Sequence, residues 1–236
     1  MRDKQSMFLK KFTLTLEPVD PLQFSITETR AYFTVKLEEY TVLNKSNDTT
    51  FIYRYPAVQC KQIKNTIIII GISQGAALLE ELSYARSEMV SGKNTCTILE
   101  RDAVIQNEEF GISDTTHMYE FLTPWLALNQ QNAKKFYDLK GKPERDAFIQ
   151  KILIGNLETL AKSLDFKTPL PIICKAKIRF RIDWMGRENV MVFLGKFKTN
   201  LRIPDYFGIG QSVLQGFGTI KCIPEIPGTD DEVNAG

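Results

Sequence analysis

Between Cys174 and Ile182, Lys175, Lys177, Arg179 and Arg181 fill every second position, and Cys174, Ala176, Ile178, Phe180 and Ile182 fill the others. Successive side chains of a strand point to opposite faces, so this segment has one basic and one apolar face. The next extended segment repeats the design, with Lys196, Lys198 and Arg202 set against Phe197, Leu201 and Ile203. If Asp183 to Asn189 connects the two as a hairpin, the basic faces lie side by side. Like charges opposite each other are destabilising. An anionic partner that offsets the repulsion is one reading; a solvated face with staggered lysines is the other.

A second candidate is the segment Ile203 to Lys221, where Gly208, Gly210, Gly216 and Gly218 surround Gln211 and Ser212, with Tyr206 just before. Such glycines let backbone N–H groups approach a phosphate closely. Dinucleotide-binding spacing would need glycine where Val213 stands, and the Gly-Lys-Ser/Thr ending of a P-loop is missing. A structural turn and a ligand loop both remain open. The single histidine, His117, is a candidate proton carrier or a structural residue. Cys60, Cys96, Cys174 and Cys222 are widely separated, with no CxxC pair, so neither a zinc site nor a disulfide framework is expected. No metal or cofactor is called for.

The net charge of the 236 residues is only +2, yet Pro171 to Arg202 carries eight Lys or Arg against two acids. The basic balance is local. Hydrophobic residues make up 43% and charged residues 25%, ordinary for a globular chain with a packed core. The N-terminal stretch lacks the apolar region of a secretory signal, and the run Ile67 to Ile72 is too short to cross a bilayer. A cytoplasmic protein without membrane contact is expected.

The elements that must position these residues follow from periodicity. Phe8 to Leu16 reads as a strand, and Ile26 to Val42 has helical spacing at Phe33, Leu37 and Tyr40. Phe51 to Ile63 and Thr66 to Ile72 form a hairpin turning at Lys64-Asn65. A helix from Gly75 to Val90, with Leu78, Leu79, Leu82 and Met89 on one face, leads to a strand from Thr95 to Ile105. This order, β-α-β-β-α-β, is that of a ferredoxin-like domain.

A second pass starts near Thr116 with a strand broken by Pro124. A helix follows from Pro143 to Leu164, striped by Phe148, Ile149, Ile152, Leu153, Leu157, Leu160 and Leu164. Strands at Ile173 to Ile182 and Val190 to Ile203 come next, then the glycine-rich segment in place of a second helix, and a last strand from Phe217. The expected fold is therefore α+β, with two tandem ferredoxin-like domains over 7–110 and 116–224. The tail beyond Pro224 is a loose end.

Tyr53-Arg54-Tyr55-Pro56, the run Phe121 to Asn132, Ile152 to Asn156, and Ile203 to Ile220 occur in an order that resembles the CRISPR-associated endoribonucleases that cleave repeat RNA, in particular the subtype with this Tyr-Arg-Tyr-Pro segment. The resemblance implies that repeat RNA, as precursor crRNA, is the partner, and it admits other CRISPR-associated proteins. It also implies metal-independent cleavage, in which a ribose 2′-hydroxyl attacks the adjacent phosphate and leaves a cyclic phosphate. That reaction needs a general base, a general acid and a cation beside the phosphorane.

Members of that subtype place two histidines, one residue apart, shortly before the Tyr-Arg-Tyr-Pro segment. Here the corresponding positions are Asn44 and Ser46. Neither carries a proton near neutral pH. A substitute site would draw on Lys45, Ser46, Tyr53, Arg54 and His117, since a lysine of lowered pKa can act as acid or base. The alternative is a homologue that binds repeat RNA and cuts very slowly or not at all. A small-molecule enzyme or protein-interaction module on the same fold is a third class, which fold alone does not exclude.

Overall fold

The computed structural model describes residues 5–18, 56–82, 88–91, 94–185 and 188–224. In β1 (Ser6–Pro18), Phe12, Leu14 and Leu16 point to one face and Leu9 and Lys11 to the other, and all five are buried. Both faces of this strand are covered, which makes it central. β2 (Val58–Ile63) and β3 (Thr66–Ile72) form the expected hairpin, turning at Lys64-Asn65 with Lys64 at φ 55°. α1 (Gln74–Leu82) lays Ala76 and Leu79 on Phe12, Leu14, Leu16, Cys60, Ile67 and Ile69. The expected helix over Ile26 to Val42 and the run from Phe51 to Tyr55 lie outside the described residues.

Two expectations need correction here. The second helix does not reach Val90: among the described residues it covers Gln74–Leu82, and Met89 belongs to β4 (Glu88–Ser91), opposite Cys96. Ser91 pairs with Asn94, and hairpin pairing overrides the helical period. The strands expected at Thr95 and near Thr116 are one strand, β5 (Asn94–Phe121). Arg101 to Gly111 pairs continuously with β1.

The sheet order is β2-β3-β1-β5-β7-β6, with β4 and β8 also paired to β5, and every pairing is antiparallel. Two ferredoxin-like orders overlap in it, β2-β3-β1-β5 and β6-β7-β5-β8. Thus β5 closes the first ferredoxin-like unit and opens the second. The fold is α+β.

α2 (Gln130–Asp138) has no counterpart in the sequence reading. Asn129 caps it by accepting the Asn132 N–H, and Phe136 is its buried anchor. α3 (Lys142–Ser163) matches the expected helix and buries Ile149, Leu153, Leu157 and Leu160. It packs on the apolar face of β6 (Cys174–Met185) and β7 (Glu188–Arg202), within the core that also holds Phe193, Phe197 and Leu201. Ile68, Ile70 and Ile72 join the same core from β3. The first unit's sheet therefore carries α1 on one face and the second unit on the other.

The last strand, β8 (Ile220–Ile223), starts later than Phe217, because Gly216 and Gly218 take positive φ and keep the chain turning. Only a three-residue 3₁₀ turn, Val213–Gln215, interrupts the glycine-rich segment, in line with the expected replacement of a helix by a loop. Among the described residues no helix is long and apolar enough to cross a membrane.

Candidate functional site

β7 passes into the glycine-rich loop at Ile203, whose backbone is clamped by Tyr119. The phenol O–H donates to the Ile203 carbonyl at 3.2 Å and accepts the Ile203 N–H at 2.8 Å. Burial pushes the Tyr119 phenol far above its usual range, which keeps that donor protonated. Within the loop, the N–H groups of Tyr206, Ile209 and Ile220 bond to Ile220, Gly218 and Phe207, and that of Gly218 bonds to Pro124. Thr123 Oγ1 donates to the Gly216 carbonyl at 2.7 Å and accepts the Thr219 N–H at 2.9 Å. The loop is held in one shape by the protein itself.

Its outer arc, Gly208 to Leu214, walls a cavity of about 530 Å³. Opposite stand Asn156, Thr159 and Ser163 of α3, and the rim includes Pro56, the last residue of Tyr53-Arg54-Tyr55-Pro56. Trp125 Nε1 donates to Asn156 Oδ1 at 3.2 Å, and since indole N–H is only a donor, the Asn156 amide is oriented with its NH₂ turned elsewhere. Thr159 Oγ1 and Ser163 Oγ donate to the helix carbonyls of Gly155 and Leu160, so their lone pairs remain as acceptors. Gln211 and Ser212 are exposed at this wall, Ser212 with φ 56°.

β6 and β7 pair as expected, setting Lys175 opposite Lys198 and Lys177 opposite Lys196, with Arg179 opposite Leu194 and Arg181 opposite Val192. Lys175, Lys177, Arg179, Arg181, Lys196 and Arg202 are exposed and Lys198 is half-buried. The face is not purely basic. Glu120 stands opposite Lys196 on one side and Lys221 on the other, and Asp183 holds the Arg181 guanidinium at 2.8 Å. This face points away from α3, so the lysine rows and the glycine-loop cavity lie on opposite sides of the β6–β7 sheet.

Arg202 stands apart from those rows, paired with Glu109. A hydrogen bond from Ser6, then one from Arg202, hold the Glu109 carboxyl below the usual carboxylate range. His117 is half-buried and lines a second cavity of about 310 Å³ with Glu108, Glu109, Arg202 and Asp205, separate from the glycine-loop cavity. Tyr206, at φ 68°, lies between the ammonium groups of Lys11 and Lys221, each 5.7 Å from its ring centre. Lys45, Ser46, Tyr53 and Arg54 lie outside the described residues.

Two parts of the site escaped the sequence reading. Asn156, Thr159 and Ser163 form an uncharged polar edge of an amphipathic helix, with the 3–4 spacing that sequence does display. Lys61 is fully buried beside Gly208, and nothing local in its strand marks it.

A sheet of two overlapping ferredoxin-like units with a glycine-rich last connection defines a Cas6-type protein. The same fold occurs in a Cas6-related protein from Pyrococcus furiosus, 14% identical with TM-score 0.55 over 92% of this chain and all of that one. The chain belongs to the Cas6b family: the family models for the Cas6b N-terminal domain and the Cas6b C-terminal domain match residues 7–109 and 111–223. The structure of a Cas6b is 29% identical, with TM-score 0.79 over 92% of this chain and 100% of that one. A second, described as a CRISPR RNA processing endoribonuclease Cas6b, is 27% identical, with TM-score 0.72 over the same shares. An uncharacterized protein of Methanocaldococcus jannaschii is 32% identical over 127 residues, 52% of this chain and 84% of the relative.

Proposed function

We propose that the chain binds CRISPR repeat RNA and takes part in CRISPR RNA maturation, with the RNA backbone passing over the glycine-rich loop. The observation that carries this reading is the cavity that joins the loop to Pro56, the end of the Tyr-Arg-Tyr-Pro segment. It brings an arc fixed by internal hydrogen bonds beside Pro56, which ends in sequence the segment that the resemblance ties to cleavage. The division into 7–110 and 116–224 then assigns the cutting segment to the first half and the loop to the second. The lysine rows of β6 and β7 serve as a second, electrostatic contact on the other face of the sheet.

In the cutting reaction a ribose 2′-oxygen bonds to the adjacent phosphorus while the P–O5′ bond breaks. One proton leaves the 2′-hydroxyl and one arrives on the 5′-oxygen, giving a 2′,3′-cyclic phosphate and a 5′-hydroxyl. Lys45 and Tyr53 are the candidates for proton transfer, and Arg54 for the charge on the phosphorane. Asn44 and Ser46, standing where the subtype carries histidines, favour the second reading: a binder in which cutting is very slow or lost.

The test is incubation of the full chain with labelled repeat RNA from its own locus in EDTA, beside copies with a 2′-deoxy substitution at each candidate cut site. One cut that survives EDTA and disappears with a single 2′-deoxy change establishes the nuclease. Tight binding without a cut establishes the binder. Neither binding nor cutting overturns both.

A further inference from the structure

A lysine buried without a carboxylate is unusual, because the desolvation cost of its charge is not offset. Lys61 of β2 is 0% exposed, and its Nζ donates to Gln59 Oε1 at 2.6 Å. Gln59 Nε2 in turn donates to the Pro56 carbonyl at 3.1 Å. On the other side lies the glycine-rich loop: a Cβ built on Gly208 would come within 3.0 Å of Lys61 Nζ and 2.4 Å of Val213 Cγ1. A side chain at 208 would crowd Val213 first and then the amine, so the glycine lets the loop lie close over Lys61. The amine sits between the strand that continues from the Tyr-Arg-Tyr-Pro segment and the inner side of the arc that walls the cavity.

Burial lowers the Lys61 pKa from 10.5 to about 7, with Cys60 opposing slightly. Among the described residues, the ionisable groups around it are few. Cys60 belongs to its own strand; Lys11 of β1 and Glu108 of β5 share its sheet face and pair with each other at 2.6 Å; Asp102 of β5 lies in its register row, beyond Ile68 and Thr15. The loop itself brings Gly208 and Val213, which do not titrate. Among the described residues, no charged group in direct contact fixes the amine's charge.

We propose, resting on the RNA-binding reading above, that Lys61 is the buried counter-charge of the glycine-rich loop, gaining a proton when a phosphate of the bound RNA comes to rest against residues 208–212. The ammonium then attracts the phosphate through a thin layer of backbone, where screening by salt is weak. The empty protein is spared a permanent buried charge. Lys61 is a positioning residue: it acts on RNA through the loop and does not touch it.

The experiment is calorimetric titration of the full chain at pH 8 with repeat RNA from its own locus, carrying 2′-deoxy substitutions at the candidate cut sites. It is run in Tris and in HEPES, whose ionisation heats differ, so the dependence on buffer counts protons. Wild type is expected to take up about one proton on binding, by linkage between protonation and affinity. Lys61→Met should take up none, bind roughly tenfold more weakly, and melt no lower than wild type, since an apolar isostere replaces a buried amine. His117→Asn, the control for the single histidine of the chain, should keep the uptake.

Binding by wild type without proton uptake overturns the inference and leaves the RNA reading standing, whether or not Lys61→Met folds. Uptake that persists in folded Lys61→Met, or vanishes in His117→Asn, also overturns it. Absence of any binding by wild type overturns both.

Discussion

Gly210 rests directly on the hydrogen bond between Trp125 and Asn156: a Cβ at position 210 would fall 2.4 Å from Trp125 Nε1 and 2.9 Å from Asn156 Oδ1. Its φ of 90° also lies where side chains are strained. Gly210→Ala must therefore shift the loop or break the indole bond, at a cost of about 1 to 3 kcal/mol. Urea denaturation measures that loss. RNA affinity should fall with it, because the arc that walls the cavity is displaced. A variant with unchanged stability would show that the loop yields freely there.

The lysine rows allow a test whose two readouts move apart. Lys177 stands opposite Lys196, and like charges across strands repel. Lys177→Gln should leave stability unchanged or raise it by a few tenths of a kcal/mol, while RNA affinity falls and its salt slope shrinks by roughly 0.7 to 1. Binding measured across salt concentrations checks this. A solvated face with no role in RNA binding would leave the slope as it was.

The same alternation that made β6 legible hid Lys61. In β6, apolar and basic residues alternate over nine positions: Cys174, Ala176 and Ile178 join the core under α3, Phe180 and Ile182 continue the apolar face into solvent, and the basic face is exposed. In β2, Val58 and Cys60 face α1's core, so Gln59 and Lys61 read as the solvent side. They are buried only because the second unit lies across that face, a contact between distant parts of the chain. Met89 misled for the opposite reason: its helical spacing from Leu82 was real, but strand pairing with Cys96 prevailed. The cavity was half legible, since the glycines announced a loop while its α3 wall looked like an ordinary polar helix edge.

The depressed pKa of Lys61 has a consequence for the empty protein. Between about pH 7, where the folded group loses its proton, and 10.5, where the unfolded group does, the unfolded state holds more protons. Stability contributed by this group therefore rises with pH across that window and is lost as pH falls toward 7. Denaturation midpoints measured from pH 7 to 9.5 should climb more steeply in wild type than in Lys61→Met. Parallel profiles would place the group's pKa near its ordinary value.

Asn44 and Ser46 present a case in which binding and chemistry can be separated by addition rather than removal. If the loop before Tyr53 has lost only its proton carriers, Asn44→His with Ser46→His supplies groups that titrate near neutrality. A general acid–base group contributes typically 10²- to 10⁴-fold, so the single-turnover rate on repeat RNA should rise by at least about 100-fold. Affinity for uncut RNA should stay near that of wild type, because both changes leave the residues of the glycine loop and the lysine rows as they are. The gain should follow a bell-shaped pH profile, as expected when one histidine must be neutral and the other protonated. A double variant that binds as wild type does but cuts no faster would mean that Lys45, Tyr53 and Arg54 already form a different site, and truncating Lys45 should then abolish whatever cutting wild type shows.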